Sequence, residues 1–122
     1  MTSLLVYGTL RPGGTAAVLV PGTLYDLGSF PGIKLEDGET ESFVTCERIT
    51  VDDATLRRLD QYEGYDPDRP DGSLYLRVPY GDDQIYVYNR DLSSQPVVQS
   101  GDWLEYVGDE EGYAASLLGS NV

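Results

Sequence analysis

Asp52-Asp53-Ala54-Thr55-Leu56-Arg57-Arg58-Leu59-Asp60-Gln61-Tyr62-Glu63-Gly64 carries the one clear helical pattern in this chain, and its reading decides the fold class. Leu56, Leu59 and Tyr62 recur at the spacing that lines one helix face. Asp52 and Asp53 precede them as N-cap candidates, and Gly64 suits the left-handed position just past a helix end. The pattern predicts a helix over residues 53–62, with Glu63-Gly64 at its C-terminal end.

On both sides of that helix the sequence reads as short strands and turns. Leu4, Leu5 and Val6 form an apolar run within a strand over residues 3–7, a composition that suits burial on both faces. Residues 15–19 are expected to form a helical turn, stopped by Pro21-Gly22. Strands are expected over residues 23–27, 33–35 and 42–51, with a turn at Ser29-Phe30-Pro31-Gly32 and a solvated loop at 36–39. Beyond the helix, residues 66–72 read as a loop. Leu74, Leu76 and Val78 then alternate with Tyr75 and Arg77 as a period-two strand, which Gly81-Asp82-Asp83 turns back into a strand over 85–88. Six or so short strands with one main helix predict an α+β domain built on a small, strongly curved mixed sheet or barrel. A single domain is expected over residues 1–122, with a core at about 3–106 and an acidic tail at 107–122, weakly apolar from Tyr113 to Leu118.

The 122 residues carry 21 acidic and 8 basic side chains, a net charge of −13. That field repels phosphate backbones and anionic lipid, so nucleic acid and membrane surfaces are not expected partners; solubility is its simplest use. No long apolar run or export signal is legible, and a cytoplasmic protein is expected. Cys46, the only cysteine, allows no internal disulfide and reads as a small buried apolar residue. There is no histidine. Ser-His-Asp and Cys-His catalysis and histidine-ligated metal are thereby excluded, and acid/base chemistry falls first to a carboxylate in a pKa-raising setting. No metal site or cofactor is expected: Asp66, Asp68 and Asp71 lack calcium-loop spacing and are interrupted by prolines.

Two segments carry the chemistry. In Val6-Tyr7-Gly8-Thr9-Leu10-Arg11-Pro12-Gly13-Gly14 a buried strand ends in glycine and enters a glycine-rich turn, which can aim several N–H groups at one anion. Its glycine spacing is not that of a P-loop or a dinucleotide fingerprint. The second is Glu63, a carboxylate at a helix C-terminus between Tyr62 and Tyr65. Desolvation and the helix dipole would both raise its pKa there. Taken singly, each segment also reads as an ordinary turn or a solvated helix end. Asp60 either supports Glu63 or faces water, and Trp103 reads as packing after the Ser100-Gly101-Asp102 turn.

Together, and in order, these pieces resemble the gamma-glutamylcyclotransferase-like family, in particular its gamma-glutamylamine cyclotransferases. The matching elements are Tyr7-Gly8-Thr9-Leu10, Phe30-Pro31, Leu59-Asp60-Gln61-Tyr62-Glu63, Tyr75-Leu76-Arg77-Val78, Tyr86-Val87-Tyr88 and Ser100-Gly101-Asp102-Trp103, over about residues 3–106. The resemblance implies a small barrel with a cavity at one end. It implies release of 5-oxoproline and a free amine from a small-molecule gamma-glutamyl substrate. Tyr7, Gly8, Thr9 and Leu10 would then hold the glutamyl head group, Glu63 would be the catalytic carboxylate, and Tyr75 would pack or hydrogen-bond at the cavity. Arg77 lines up beside the site as a ligand contact or an outward surface charge. The acidic loop over 66–72 and the acidic tail suit a cationic leaving amine. Two other readings stay open: a cyclotransferase that deprotects an amine in a dedicated pathway, and a non-catalytic binder of a small anionic metabolite. The sequence does not disclose an oligomeric state.

Overall fold

A computed structural model describes residues 1–8, 10–13, 17–36 and 40–108. Its frame is a six-stranded sheet in the order β3-β2-β4-β1-β6-β5. The strands are β1 (Thr2–Val6), β2 (Ala17–Asp26), β3 (Pro31–Leu35), β4 (Phe43–Val51), β5 (Tyr75–Tyr80) and β6 (Asp83–Tyr88). β1 runs parallel to β6, and every other pairing is antiparallel. The sheet is therefore mixed. Leu4, Leu5 and Val6 are at most 1% exposed, as the apolar run predicts for a strand covered on both faces.

The sheet curls into a half-barrel, and Gly32 shows where it folds on itself. A Cβ at Gly32 would lie 2.9 Å from Leu27 Cδ1 and 3.1 Å from Tyr88 Cβ. Only a residue without a side chain lets β3 approach β6 this closely. The gap between the edge strands is bridged by a side chain: the Tyr75 hydroxyl of β5 donates to the Pro31 carbonyl of β3 at 2.6 Å. Tyr75 also meets Tyr88 edge-on, with ring centroids 5.3 Å apart. The closure is thus aromatic rather than a continuous backbone ladder.

Helix α1 (Asp53–Tyr62) lies between β4 and β5 in the chain, and its limits match the sequence expectation. The Asp52 carboxylate accepts from the Thr55 N–H at 2.8 Å and begins it. A short 3-10 turn, Pro70–Gly72, sits inside the predicted loop. After β6 the chain passes back along β2, where Val98 N–H donates to the Leu24 carbonyl at 2.8 Å, before α2 (Trp103–Gly108). Trp103 and Cys46 are both fully buried in the core.

One expectation is overturned. Residues 17–19 were expected in a helical turn but form the start of β2, paired with β4 from Ala17↔Glu47 to Pro21↔Phe43. Pro21-Gly22 does not stop the element. It marks the place where β2 exchanges β4 for β3, whose ladder begins at Gly22↔Leu35. Thr15 and Ala16, the loop residues 37–39, Thr9 and the tail residues 109–122 lie outside the described residues. The other shifts are small, as at β3, which begins at Pro31 inside the expected turn.

Candidate active site

Glu63 is 1% exposed although it follows an amphipathic surface helix. The way α1 ends accounts for this. Tyr65 N–H donates to the Asp60 carbonyl at 2.8 Å and Gly64 N–H to the Gln61 carbonyl at 3.1 Å, the paired bonds of a Schellman motif. Gly64 sits at φ +69°, and its carbonyl accepts from Leu74 N–H at 2.9 Å. The chain thus reverses straight onto the approach to β5, and the C-cap residue Glu63 is turned inward. An added Cβ at Gly64 would stand 3.2 Å from Leu74 Cβ in a left-handed conformation. Gly64→Ala is therefore expected to cost about 1–2 kcal/mol, readable as a lower urea midpoint. An unchanged midpoint would show that the helix end is looser than this.

Three buried tyrosines share the Glu63 neighbourhood. Tyr7 donates through its hydroxyl to the Tyr86 carbonyl at 2.6 Å, Tyr75 to Pro31 as above, and Tyr86 to Asp60 Oδ1 at 2.6 Å. All three hydroxyls have pKa values pushed up, chiefly by burial, with the Glu63 charge contributing at each; a hydrogen bond to Asp60 adds to the effect at Tyr86. Burial likewise pushes the Cys46 thiol up to about 12. These groups stay protonated in the fold while the unfolded chain ionises at ordinary values, near 8.5 for a thiol and about 10 for tyrosine. Their stabilising contribution is complete below those values and is lost as pH rises past them. Urea midpoints should accordingly fall between pH 8 and pH 11; a flat profile there would contradict the burial of these hydroxyls.

Asp60 is 7% exposed and supports the site; it does not face water. It receives Arg77 Nε at 2.8 Å and Nη2 at 3.0 Å as a two-point pair, beside the Tyr86 hydroxyl. Arg77 also donates to the Gln84 amide oxygen and lies 5.5 Å over the Tyr65 ring. This cluster anchors the last turn of α1 to β5 and β6. Arg77 is thus a paired cation rather than the free surface charge that was one of the two readings of the sequence. On the outer side of the same helix end lies a cleft of about 540 Å³, lined in part by Gln61, Gly64, Tyr65 and Asp66.

The glycine-rich loop is held from behind. Arg11 N–H closes a turn onto the Gly8 carbonyl at 3.0 Å. Its guanidinium donates from Nε to Glu47 Oε2 at 2.8 Å and from Nη1 to Asp102 Oδ1 at 2.9 Å. Gly13 N–H reaches the same Glu47 oxygen at 3.1 Å. Gly8 is buried, and Leu10 packs half-buried against the core. The structure therefore brings Tyr7, Tyr75 and Glu63 into one interior region, with Gly8 and Leu10 following Tyr7 along the chain. The Arg11 clamp has no counterpart in the sequence reading. Its signals were a cation inside a glycine turn and an acid, Glu47, beside the buried Val44 and Cys46.

A family profile described as gamma-glutamyl cyclotransferase, AIG2-like, matches residues 4–105. The chain belongs to that family. Among its relatives in this cyclotransferase family, the Escherichia coli K12 gamma-glutamylcyclotransferase family protein YtfP is 35% identical over 86 residues, 67% of each chain. A Vibrio cholerae protein provisionally named a gamma-glutamylcyclotransferase is 30% identical over 117 residues, 85% of this chain and 96% of that one. The solution structure of YtfP from E. coli superposes with a TM-score of 0.61 at 29% identity, covering 86% of this chain and 98% of that one. The matched span includes the Tyr7 loop, α1 with Glu63 at its C-cap, and Trp103 of α2.

Proposed function

We propose that this chain converts a gamma-glutamyl amine to 5-oxoproline and the free amine, with Glu63 as the general acid/base. The observation that carries the reading is a carboxylate 1% exposed, among three tyrosines, on a chain of a cyclotransferase family. Cyclisation needs no protein nucleophile. The substrate's own α-amine attacks the γ-carbonyl, the ring C–N bond forms, and the exocyclic C–N bond breaks. Holding the glutamyl chain folded makes the attack intramolecular, an arrangement worth up to about 7–11 kcal/mol of a barrier. Glu63 takes the proton that the attacking nitrogen sheds and returns it to the departing amine.

The tyrosines suit this task because their raised pKa values keep them neutral donors beside a carboxylate that must change charge. In this reading Tyr75 packs against the substrate, while Tyr7, Gly8, Thr9 and Leu10 receive its α-carboxylate through main-chain N–H groups. The same donors steady the oxyanion as the γ-carbonyl becomes tetrahedral. Asp66, Asp68 and Asp71 are exposed on the loop after α1 and favour an amine bearing positive charge. The test is to incubate the purified chain with a panel of gamma-glutamyl amines and measure 5-oxoproline. Release from at least one member is expected; silence across cationic, neutral and anionic amines would defeat the proposal.

A further inference from the structure

The fold closure at Gly32 leaves a cleft of about 400 Å³ beside it, and the charge of that cleft runs against the rest of the molecule. Lys34 and Tyr25 enter it from the β2–β3 ladder, while Tyr88 and Arg90 enter from the end of β6. The chain carries only eight cationic side chains against 21 acidic ones. Arg11, Arg48 and Arg77 are bound to carboxylates at 2.8 Å. Lys34, the only lysine, has no acidic partner within ion-pair distance among the described residues.

Arg90 spends its hydrogens on neutral oxygens: the carbonyls of Ser73 at 2.7 Å, Asn89 at 2.9 Å and Gly72 at 3.2 Å. These bonds fix the guanidinium without cancelling its charge. The one acid of the cleft, Asp91, is engaged in its own loop, accepting Ser93 N–H at 3.0 Å and Ser93 Oγ–H at 2.9 Å. Two cations, one of them held rigid, therefore flank a concavity with two tyrosine walls and one locally satisfied carboxylate. Clefts with low-dielectric walls focus such a local excess of charge even against a net charge of opposite sign.

We propose that this cleft is a binding site for a small oxyanion-bearing metabolite, its carboxylate or phosphate lying between Lys34 and Arg90 and its body between Tyr25 and Tyr88. The inference is independent of the cyclotransferase reading. A lysine on an edge strand also discourages strand addition by another chain, and in that role alone its replacement would leave anion binding untouched.

The test titrates the isotopically labelled chain at low ionic strength with inorganic phosphate and, separately, with succinate, following backbone amide shifts. Saturable shifts are expected at residues 25, 34, 88 and 90–93. Lys34→Gln should weaken the binding by roughly fivefold or more and Lys34→Arg should retain it, the scale set by one partly exposed charge pair. Glu63→Gln should leave it unchanged, which separates this site from the proposed catalytic one. Saturation by phosphate alone would assign a phosphate-bearing ligand, and by succinate alone a carboxylate. The proposal is overturned if neither anion saturates the cleft, or if Lys34→Gln binds as tightly as the native chain.

Discussion

Glu63→Gln should lower the rate of 5-oxoproline release by about 10²-fold or more, the usual worth of a positioned proton carrier. The replacement keeps the shape of the side chain and removes only its ability to accept and return a proton. Stability should be maintained, because an isosteric amide fills the same buried position, which is 1% exposed. A second readout is built into the site. The Glu63 charge is among the causes that push up Tyr7, Tyr75 and Tyr86, so their ionisation should begin at lower pH in the variant, visible as tyrosinate absorbance. A shifted titration with activity intact would mean that Glu63 sits where described and that another group moves the proton.

Arg11→Ala should be the most damaging single change outside that residue. The side chains of Arg11 and Glu47 are 7% and 5% exposed, so solvent screens the pair little. Removing the guanidinium breaks a nearly buried ion pair from one side, a loss of the kind that costs about 3–5 kcal/mol. Asp102, at 24% exposed, loses less. The damage should extend beyond stability, because Arg11 also fixes the turn that follows Gly8. KM is expected to rise more than kcat falls, since the loop is assigned to substrate holding. Replacing Glu47 with Leu as well should return part of the lost stability, measured as a coupling in a double-mutant cycle. An urea midpoint equal to that of the native chain would show that the clamp does not hold the loop.

How far the sequence disclosed this molecule depends on whether local or distant partners set each feature. Helix α1 was legible to the residue because its signals are local: the Asp52 cap, the spacing of Leu56, Leu59 and Tyr62, and the stop at Gly64. The β5–β6 hairpin was legible for the same reason. Residues 17–21 were not, because Ala17-Val18-Leu19-Val20 is apolar without a period and Pro21-Gly22 reads as a breaker. Only the sheet order reveals that Pro21 stands where one strand partner replaces another. Within the site, a sheltered Glu63 was one of two readings of its helix end, but the tyrosines around it are Tyr7, Tyr75 and Tyr86, while its sequence neighbour Tyr62 is 54% exposed. The pairing of Asp60 with Arg77, and of Arg11 with Glu47 and Asp102, could not. Each joins residues far apart in the chain, and a single sequence states charges without stating who meets whom.

The parallel contact between β1 and β6 has a consequence for how the protein is born. Leu4 and Leu5 lie beside Gln84 and Ile85, so β1 waits for β6, the last strand of the described sheet, to complete its neighbourhood. Until then one margin of β1, apolar and unoccupied, is open to any passing strand. Contacts of such long sequence separation form slowly. A nascent chain halted before β6 should therefore be a sticky intermediate that depends on chaperones, whereas one carrying residue 88 holds all six strands of the described sheet.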